Sequence, residues 1–380
     1  MLGEAIHRTK ELTKFDKALV IANCFGFTPI RAPRVSKEDL ELTKHCGNHQ
    51  YFDAAEKVAL LRYSQNQNLG SILSPIGLVY KKPSSRKNFD THSLHFVGSS
   101  SGIAEATLIC TALSILREEG YKNLTVDLNC VGDKESINNY ERELSNHVRK
   151  SSNNLPEELK QNIKEDVFNI FRLETPEAIK LRENAPTSIS FLSTQSRIYF
   201  KEVLEFIEAL GIDFRLNPEL VGEKSHVSHT IFAVKDVENE TAHILAMGYR
   251  YPRLLRLLGL KKELPVAGIT ITRTTKLGHI YKELPKPKFS LIQLGREAKI
   301  KTLSLLELLR SHHIPVHHLL GMDKITTQLS SAESLRVSHL IIIGQKEALD
   351  NTATVRNILT RAQDTVSISD LPHYLKHIGL

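Results

Sequence analysis

Histidine is the side chain best suited to hold a metal or act as a general base near neutrality. His92 and His95 stand three apart in the run HSLHFVGSS. On a strand that spacing puts them on opposite faces, one inward and one outward, which is not a ligand set. His312, His313, His317 and His318 flank Pro315. Without a second ligand pair of defined geometry they read as surface histidines. Asp127 and Asp133 are near each other in sequence, but the first falls in an expected strand and the second in the turn after it, where solvation is its simplest role. The run from Gly98 to Gly102, GSSSG, precedes a helix whose N-terminus could cradle an anion. It lacks the GK[ST] ending of a phosphate loop and reads as an ordinary loop. Cys24, Cys46, Cys110 and Cys130 form no CxxC pair, so reduced thiols are expected and no metal site.

The elements that must position these residues follow from pattern. The chain has 380 residues, 41% hydrophobic and 24% charged, ordinary for a globular protein of two or three domains. A net charge of +7 suits a polyanionic partner without identifying one. The first twenty residues carry charges throughout and hold no apolar export core, and no run approaches a membrane span. A cytoplasmic protein without membrane association is therefore expected. Apolar spacing predicts a helix over 13–24 stopped at Gly26, then a short strand over 27–33. Strands are expected at 58–65, 72–82, 92–100 and 124–132, with helices at 102–120 and 134–150. A polar helical insertion covers 151–197, and a helix follows over 199–210. Further strands are expected at 214–221, 229–236, 242–248 and 266–272. The stretch KELPKPK, 282–288, reads as a linker. Beyond it, apolar runs at 290–294, 314–317 and 339–343 alternate with helical stretches at 297–309, 325–335 and 371–378. That alternation predicts a βαβα unit with a buried, largely parallel sheet, and the fold class is α/β.

The C-terminal segment resembles the anticodon-binding domain of class II aminoacyl-tRNA synthetases, most closely the histidyl-tRNA synthetase type. Residues 14–281 follow the order of that family's catalytic domain. FGFTPIRAP is similar to its first class II motif, with Pro33 ending a dimer-interface element. IGLVYKK followed by HSLHFVG resembles its second motif, LPVAGITI its third, and MGYRYPRLLRLLG its glycine-rich strand turn. LTVDLNCVGDKES, FRLETPEA, LRENAPTS and ALGIDFRLNPELV track the segments between. The resemblance implies a class II antiparallel sheet flanked by helices over 1–281, a linker at 282–288 and an anticodon-type α/β domain over 289–380. It also implies a homodimer and tRNA as partner.

Class II activation needs arginine forks to bind ATP and neutralise charge building on the α-phosphate. In the register of the resemblance, the transition-state arginine falls at Lys81 and the adenine-reading glutamate near Pro83. The third-motif arginine falls at Thr275, with Arg273 two residues away as a substitute. The activating arginine after NPELV falls at Gly222, and the tyrosine pair at His226 and Val227. The pocket's Arg-Pro-Glu becomes Arg62, Tyr63 and Ser64, so the carboxylate for the substrate's amino group is gone. Arg250 and Tyr251 match, but the following aspartate is Pro252. The resemblance therefore implies a degenerate, non-catalytic paralogue that binds tRNA or a protein partner. A divergent histidine–tRNA ligase using ATP and Mg2+ is one alternative. A regulatory subunit like that of ATP phosphoribosyltransferase is another, and a polymerase processivity factor built on this scaffold a third. Lys324 and Gln328 on one helix are the expected tRNA contacts. Arg86 and Lys87 either meet an acceptor stem or are solvated cations.

Overall fold

The computed structural model describes residues 12–47, 51–71, 74–83, 89–150, 155–222, 227–237, 243–259, 264–274 and 279–379. In chain order the N-terminal part comprises α1 (Lys17–Cys24), β1 (Phe27–Pro29), α2 (Lys37–Leu42), α3 (Ala54–Asn66), β2 (Ile76–Lys81), β3 (Phe89–Val97), α4 (Ile103–Glu118), β4 (Leu124–Gly132) and α5 (Lys134–Lys150). It continues through α6 (Glu157–Glu165), α7 (Pro176–Arg182), α8 (Thr194–Ala209), β5 (Phe214–Leu216), β6 (Ser228–Asp236), β7 (His243–Arg250) and β8 (Val266–Thr274). The C-terminal part comprises β9 (Phe289–Gln293), α9 (Arg296–Ser311), β10 (Val316–His318), α10 (Ile325–Ser334), β11 (His339–Ile343), α11 (Gln345–Asp350), β12 (Thr352–Asn357), β13 (Gln363–Ser367) and α12 (Leu371–Ile378).

The first eight strands form one sheet in the order β1-β2-β3-β8-β7-β6-β4-β5. It is antiparallel except at its two edges, where β1 pairs with β2 and β5 with β4 in parallel. Alternate side chains of each strand enter different cores, as a pleated strand requires. Leu94, Phe96, Val79, Ile269 and Ile271 join the core under α1, α4 and α8. Leu78, Tyr80, Val97, Ile231 and Tyr249 join the core under α3, α5 and the 151–197 segment.

Residues 58–65, expected as a strand, lie within α3. Ala54 to Leu61 are all buried, Glu56 and Lys57 included, so the first two turns are enclosed on every side. Such a run carries no period that separates a buried helix from a buried strand. Its start is set by Asp53, whose carboxylate accepts the N–H of Glu56 at 3.1 Å.

The second sheet has the order β10-β9-β11-β12-β13. Its first three strands are parallel, as the alternating pattern predicts. The β12–β13 hairpin is antiparallel and was not read from the sequence. The two sheets are not independent, because one continuous core holds Leu19 and Leu108 together with Leu303 and Leu306. Across the seam, Arg310 Nη1 lies 2.9 Å from Glu118 and Ser114 donates to Glu307 at 2.9 Å.

Candidate functional site

A shift of one residue along a strand reverses the face a side chain meets, and this decides what the candidate residues can do together. On β2, Lys81 turns to the α1 face, where its Nζ lies 2.6 Å from Asp90 and 3.5 Å from Asp16. Lys82 turns the other way and pairs with Glu56 of α3. Tyr251 also lies on the α3 face, its hydroxyl 2.6 Å from His95 Nδ1. Lys81, where the transition-state arginine was expected, and Tyr251 of the expected substrate pocket are therefore separated by the sheet, and Lys82, just past the end of β2, is the cation on Tyr251's side.

That α3 face is filled by the chain itself. His95 stacks on Tyr80 with ring centroids 5.5 Å apart. The Tyr80 hydroxyl donates to Glu56 at 2.5 Å, and Ser93 Oγ donates to the same carboxylate at 3.2 Å. Lys57 is 2% exposed and its Nζ reaches Ser93 Oγ at 3.3 Å and Thr270 Oγ1 at 3.5 Å. Burial pushes the Lys57 pKa down to about 8, with the Lys82 charge adding to the fall and Glu56 opposing it. Burial alone would raise Glu56, but Lys57 and Lys82 hold its carboxyl below the usual range.

The remaining candidate cations are also engaged. Arg250 is buried and grips Glu105 with two contacts, Nε at 2.9 Å and Nη2 at 2.8 Å, while Nη1 donates to Ser99 O at 2.7 Å. Glu105 is in turn bonded by the Tyr199 hydroxyl at 2.5 Å. Arg250 thus ties the 98–102 loop to α4. The anion cradle considered for that loop is occupied from within: Glu202 accepts Ser101 Oγ at 2.7 Å and the Gly102 N–H at 3.2 Å. Arg273 is 4% exposed and lies 2.5 Å from Glu119. It does share the α1 face with Lys81, as their common partner Asp90 requires. Arg62 forks onto Asp39 at 2.6 and 3.1 Å. Ser64 is buried with no partner for its hydroxyl among the described residues.

At Gly222 a Cβ would come within 2.7 Å of the Val227 side chain, so an arginine there requires Val227 or the backbone to move. His226, Thr275, Arg86 and Lys87 lie outside the described residues. Pro33 is half-buried in the extended run after β1, close in sequence to Val35 and Leu40, whose side chains are exposed.

Three histidine expectations are corrected. His92 does face away from His95, but both are fully buried. His92 Nε2 lies 2.8 Å from Asp16, which also accepts the Leu19 N–H. Burial would raise the Asp16 carboxyl, yet His92, that N–H and Lys81 hold it well below the usual carboxylate range. His317 is half-buried and His318 buried, rather than both lying on the surface. Burial lowers both to a pKa of about 4. His318 Nε2 donates to Cys24 O at 3.2 Å, across the seam between the two sheets. Asp133 is not simply solvated either: it accepts from Ser136 N at 2.9 Å and Ser193 Oγ at 2.6 Å, joining the starts of α5 and α8. Asp127 is a buried strand carboxylate held by Arg215, Lys235 and Asn217.

In the C-terminal unit Lys324 is exposed at the N-terminus of α10. Gln328, expected beside it on a binding surface, is 1% exposed. Its amide accepts the Gln293 N–H at 3.0 Å and donates to Gln293 O and Met322 O. It anchors α10 to β9 and leaves no group for a ligand. Among the described residues no three His, Cys, Asp or Glu side chains gather as a metal site would need.

Residues 288–378 match the family model described as anticodon binding domain. The histidine–tRNA ligase of Ehrlichia ruminantium is 26% identical over 388 residues, covering 95% of this chain and 92% of that protein. The histidine–tRNA ligase of Thermosynechococcus vestitus is 27% identical over 299 residues, 77% of this chain and 69% of that protein. The apo crystal structure of S. aureus histidyl-tRNA synthetase superposes with a TM-score of 0.51 at 22% identity, covering 94% of this chain and 93% of that one. The large antiparallel-rich sheet with flanking helices and the smaller C-terminal α/β unit define a class II aminoacyl-tRNA synthetase fold. Within that class, the relatives it is similar to over most of its length are histidine–tRNA ligases.

Proposed function

We propose that this chain is a non-catalytic histidyl-tRNA synthetase relative that acts by binding tRNA, with residues 289–380 as the anticodon-side domain, 282–288 as linker and 1–281 as the catalytic-like domain. One observation carries the reading: the cations nearest to the activation machinery are consumed by the chain's own carboxylates. Lys81 is held by Asp16 and Asp90, Lys82 by Glu56, Arg273 by Glu119 and Arg250 by Glu105. A triphosphate would have to break these pairs and displace α3 from the Tyr251 face. Loss of one transition-state cation costs roughly a hundredfold in rate, and losses at Lys81, Gly222 and Arg62–Ser64 act on one step, though not additively. The exposed Lys324 supports a phosphate contact from α10. Self-association through the Pro33 run, with Val35 and Leu40 exposed beside it, is part of the same proposal.

The test is histidine-dependent ATP–pyrophosphate exchange alongside a tRNA gel shift. Exchange should stay at background, and tRNA should be retained with an affinity that falls linearly on a log–log plot against salt. Exchange at a synthetase rate would overturn the non-catalytic reading. Failure to retain tRNA at low salt would overturn the tRNA one.

A further inference from the structure

The turn between β12 and β13 carries Leu359, which at 91% exposure is the most exposed large apolar side chain among the described residues. The backbone behind it is fixed. Asn357 Oδ1 accepts the N–H groups of Leu359 at 2.9 Å and Thr360 at 3.0 Å, and Asn357 O accepts that of Arg361 at 3.0 Å. Asn357 N donates to Ala362 O at 2.9 Å, and Ile358 N donates to Ser338 O at 3.1 Å, which ties the turn to the segment before β11. Ile358 packs inward against the cluster of Ile292, Val337 and Leu340, while its neighbour Leu359 is held outward. Arg361 sits at φ +61°, a left-handed conformation that a non-glycine residue adopts at a cost. A lone exposed leucine is ordinary. One raised on a bonded, strained turn loses little freedom when a partner covers it.

The charge around this tip is positive. Arg361 is exposed beside Leu359, and Arg336 is exposed in the segment that Ile358 N reaches. Neither guanidinium is paired with a carboxylate among the described residues. Against them stand Asp364, whose carboxylate accepts from the Tyr374 hydroxyl at 2.5 Å, and Glu333, exposed near Arg336 in sequence. Arg336 follows the C-terminal end of α10 and Lys324 caps its start, so these two cations are about 18 Å apart at 1.5 Å per residue. Two guanidinium groups without counter-charge beside an apolar tip suit a polyanion whose apolar faces can be parted. A single-stranded RNA loop is such a partner, with phosphates outside and bases that can be splayed. Leucine is one of the apolar side chains that wedge between base steps.

We propose that the β12–β13 turn is a wedge for an RNA loop: Leu359 enters between two bases, and Arg336 and Arg361 take phosphates beside it. This rests on the tRNA-binding reading and names the element that meets the bases.

The full chain is titrated with the anticodon stem-loop of a histidine tRNA carrying 2-aminopurine in the loop, and with the stem alone as a blunt duplex. The stem-loop should bind with a rise in probe fluorescence as its bases unstack, and the duplex should bind more weakly. Leu359→Ser should abolish the rise and weaken binding about tenfold. Leu359→Trp places a tryptophan in a chain that has none, and its emission should be quenched when the stem-loop binds. Arg361→Gly, which suits the left-handed backbone, should weaken binding about threefold to tenfold and lower the log–log salt slope by about one. Leu349→Ser, on α11 where the leucine is 74% exposed, should leave binding unchanged. Equal retention of the stem-loop by wild type and Leu359→Ser, with the fluorescence rise intact, overturns the wedge, leaves the tRNA reading standing and turns the tip over to a protein contact. No retention by wild type at low salt overturns both.

Discussion

Lys57 and Glu56 are adjacent in α3 and have opposite value to the fold. Glu56 neutralises two lysines and accepts from Tyr80 and Ser93. Glu56→Ala leaves Lys57 and Lys82 facing each other without a counter-charge and should cost about 3–5 kcal/mol in urea unfolding. Lys57→Met leaves Glu56 paired to Lys82 and should cost less than about 1 kcal/mol. The two differ in pH dependence. The Lys57 pKa is about 8 in the fold against 10.5 as the ordinary value. Between those values the unfolded chain holds a proton that the folded chain has released, so this group makes stability rise with pH. The wild type should gain on Lys57→Met between pH 8 and 10.5, and parallel profiles would show that Lys57 is solvated. The sequence could not reveal this pair, because both residues look like ordinary surface charges until α3 is seen to lie against the sheet.

At the scale of elements, the 98–102 loop and α4 show how a family-like segment becomes self-sufficient. Glu202 of α8 sits where an anion would sit, so Glu202→Ala should destabilise the fold by about 1 kcal/mol through the lost N-terminal partner. Thermal unfolding with and without added phosphate measures this. The variant should regain part of its loss in phosphate, and wild type should not respond there. Helices with a clear apolar stripe, such as α5 and α8, were legible from spacing. α3 was not, because Ala54 to Leu61 are buried on every side, charged Glu56 and Lys57 among them, and leave no polar stripe to mark the period. Gln328 failed for a related reason. A glutamine at helical spacing from Lys324 suggests a polar surface, and only the packing of α10 on β9 reveals a buried anchor.

At the scale of the molecule, the two sheets share a core and a seam closed by Arg310, Glu307, Glu118 and His318. The chain should therefore unfold in one calorimetric transition, and two separated transitions would contradict the shared core. Acid should loosen it. His317 and His318 are held neutral to about pH 4, against 6.5 for a free imidazole. Between those values the unfolded state takes up protons the native state refuses, so stability falls as pH drops through that window. His318→Gln, which keeps a donor for Cys24 O, should flatten the acid limb. An unchanged slope from pH 6.5 to 4 would mean that the seam opens to water.

By itself the sequence pointed to most of the elements and to the resemblance of the C-terminal unit to an anticodon-binding domain, because these depend on local period and on motif. Only the tertiary structure decided that Lys81 and Tyr251 lie on opposite faces of a sheet, that each surviving cation has a carboxylate of its own, and that a helix covers the Tyr251 face. The physical reason is the pleat: one residue of register reverses a strand's faces, and the partner of a buried charge is chosen by packing between segments far apart in the chain.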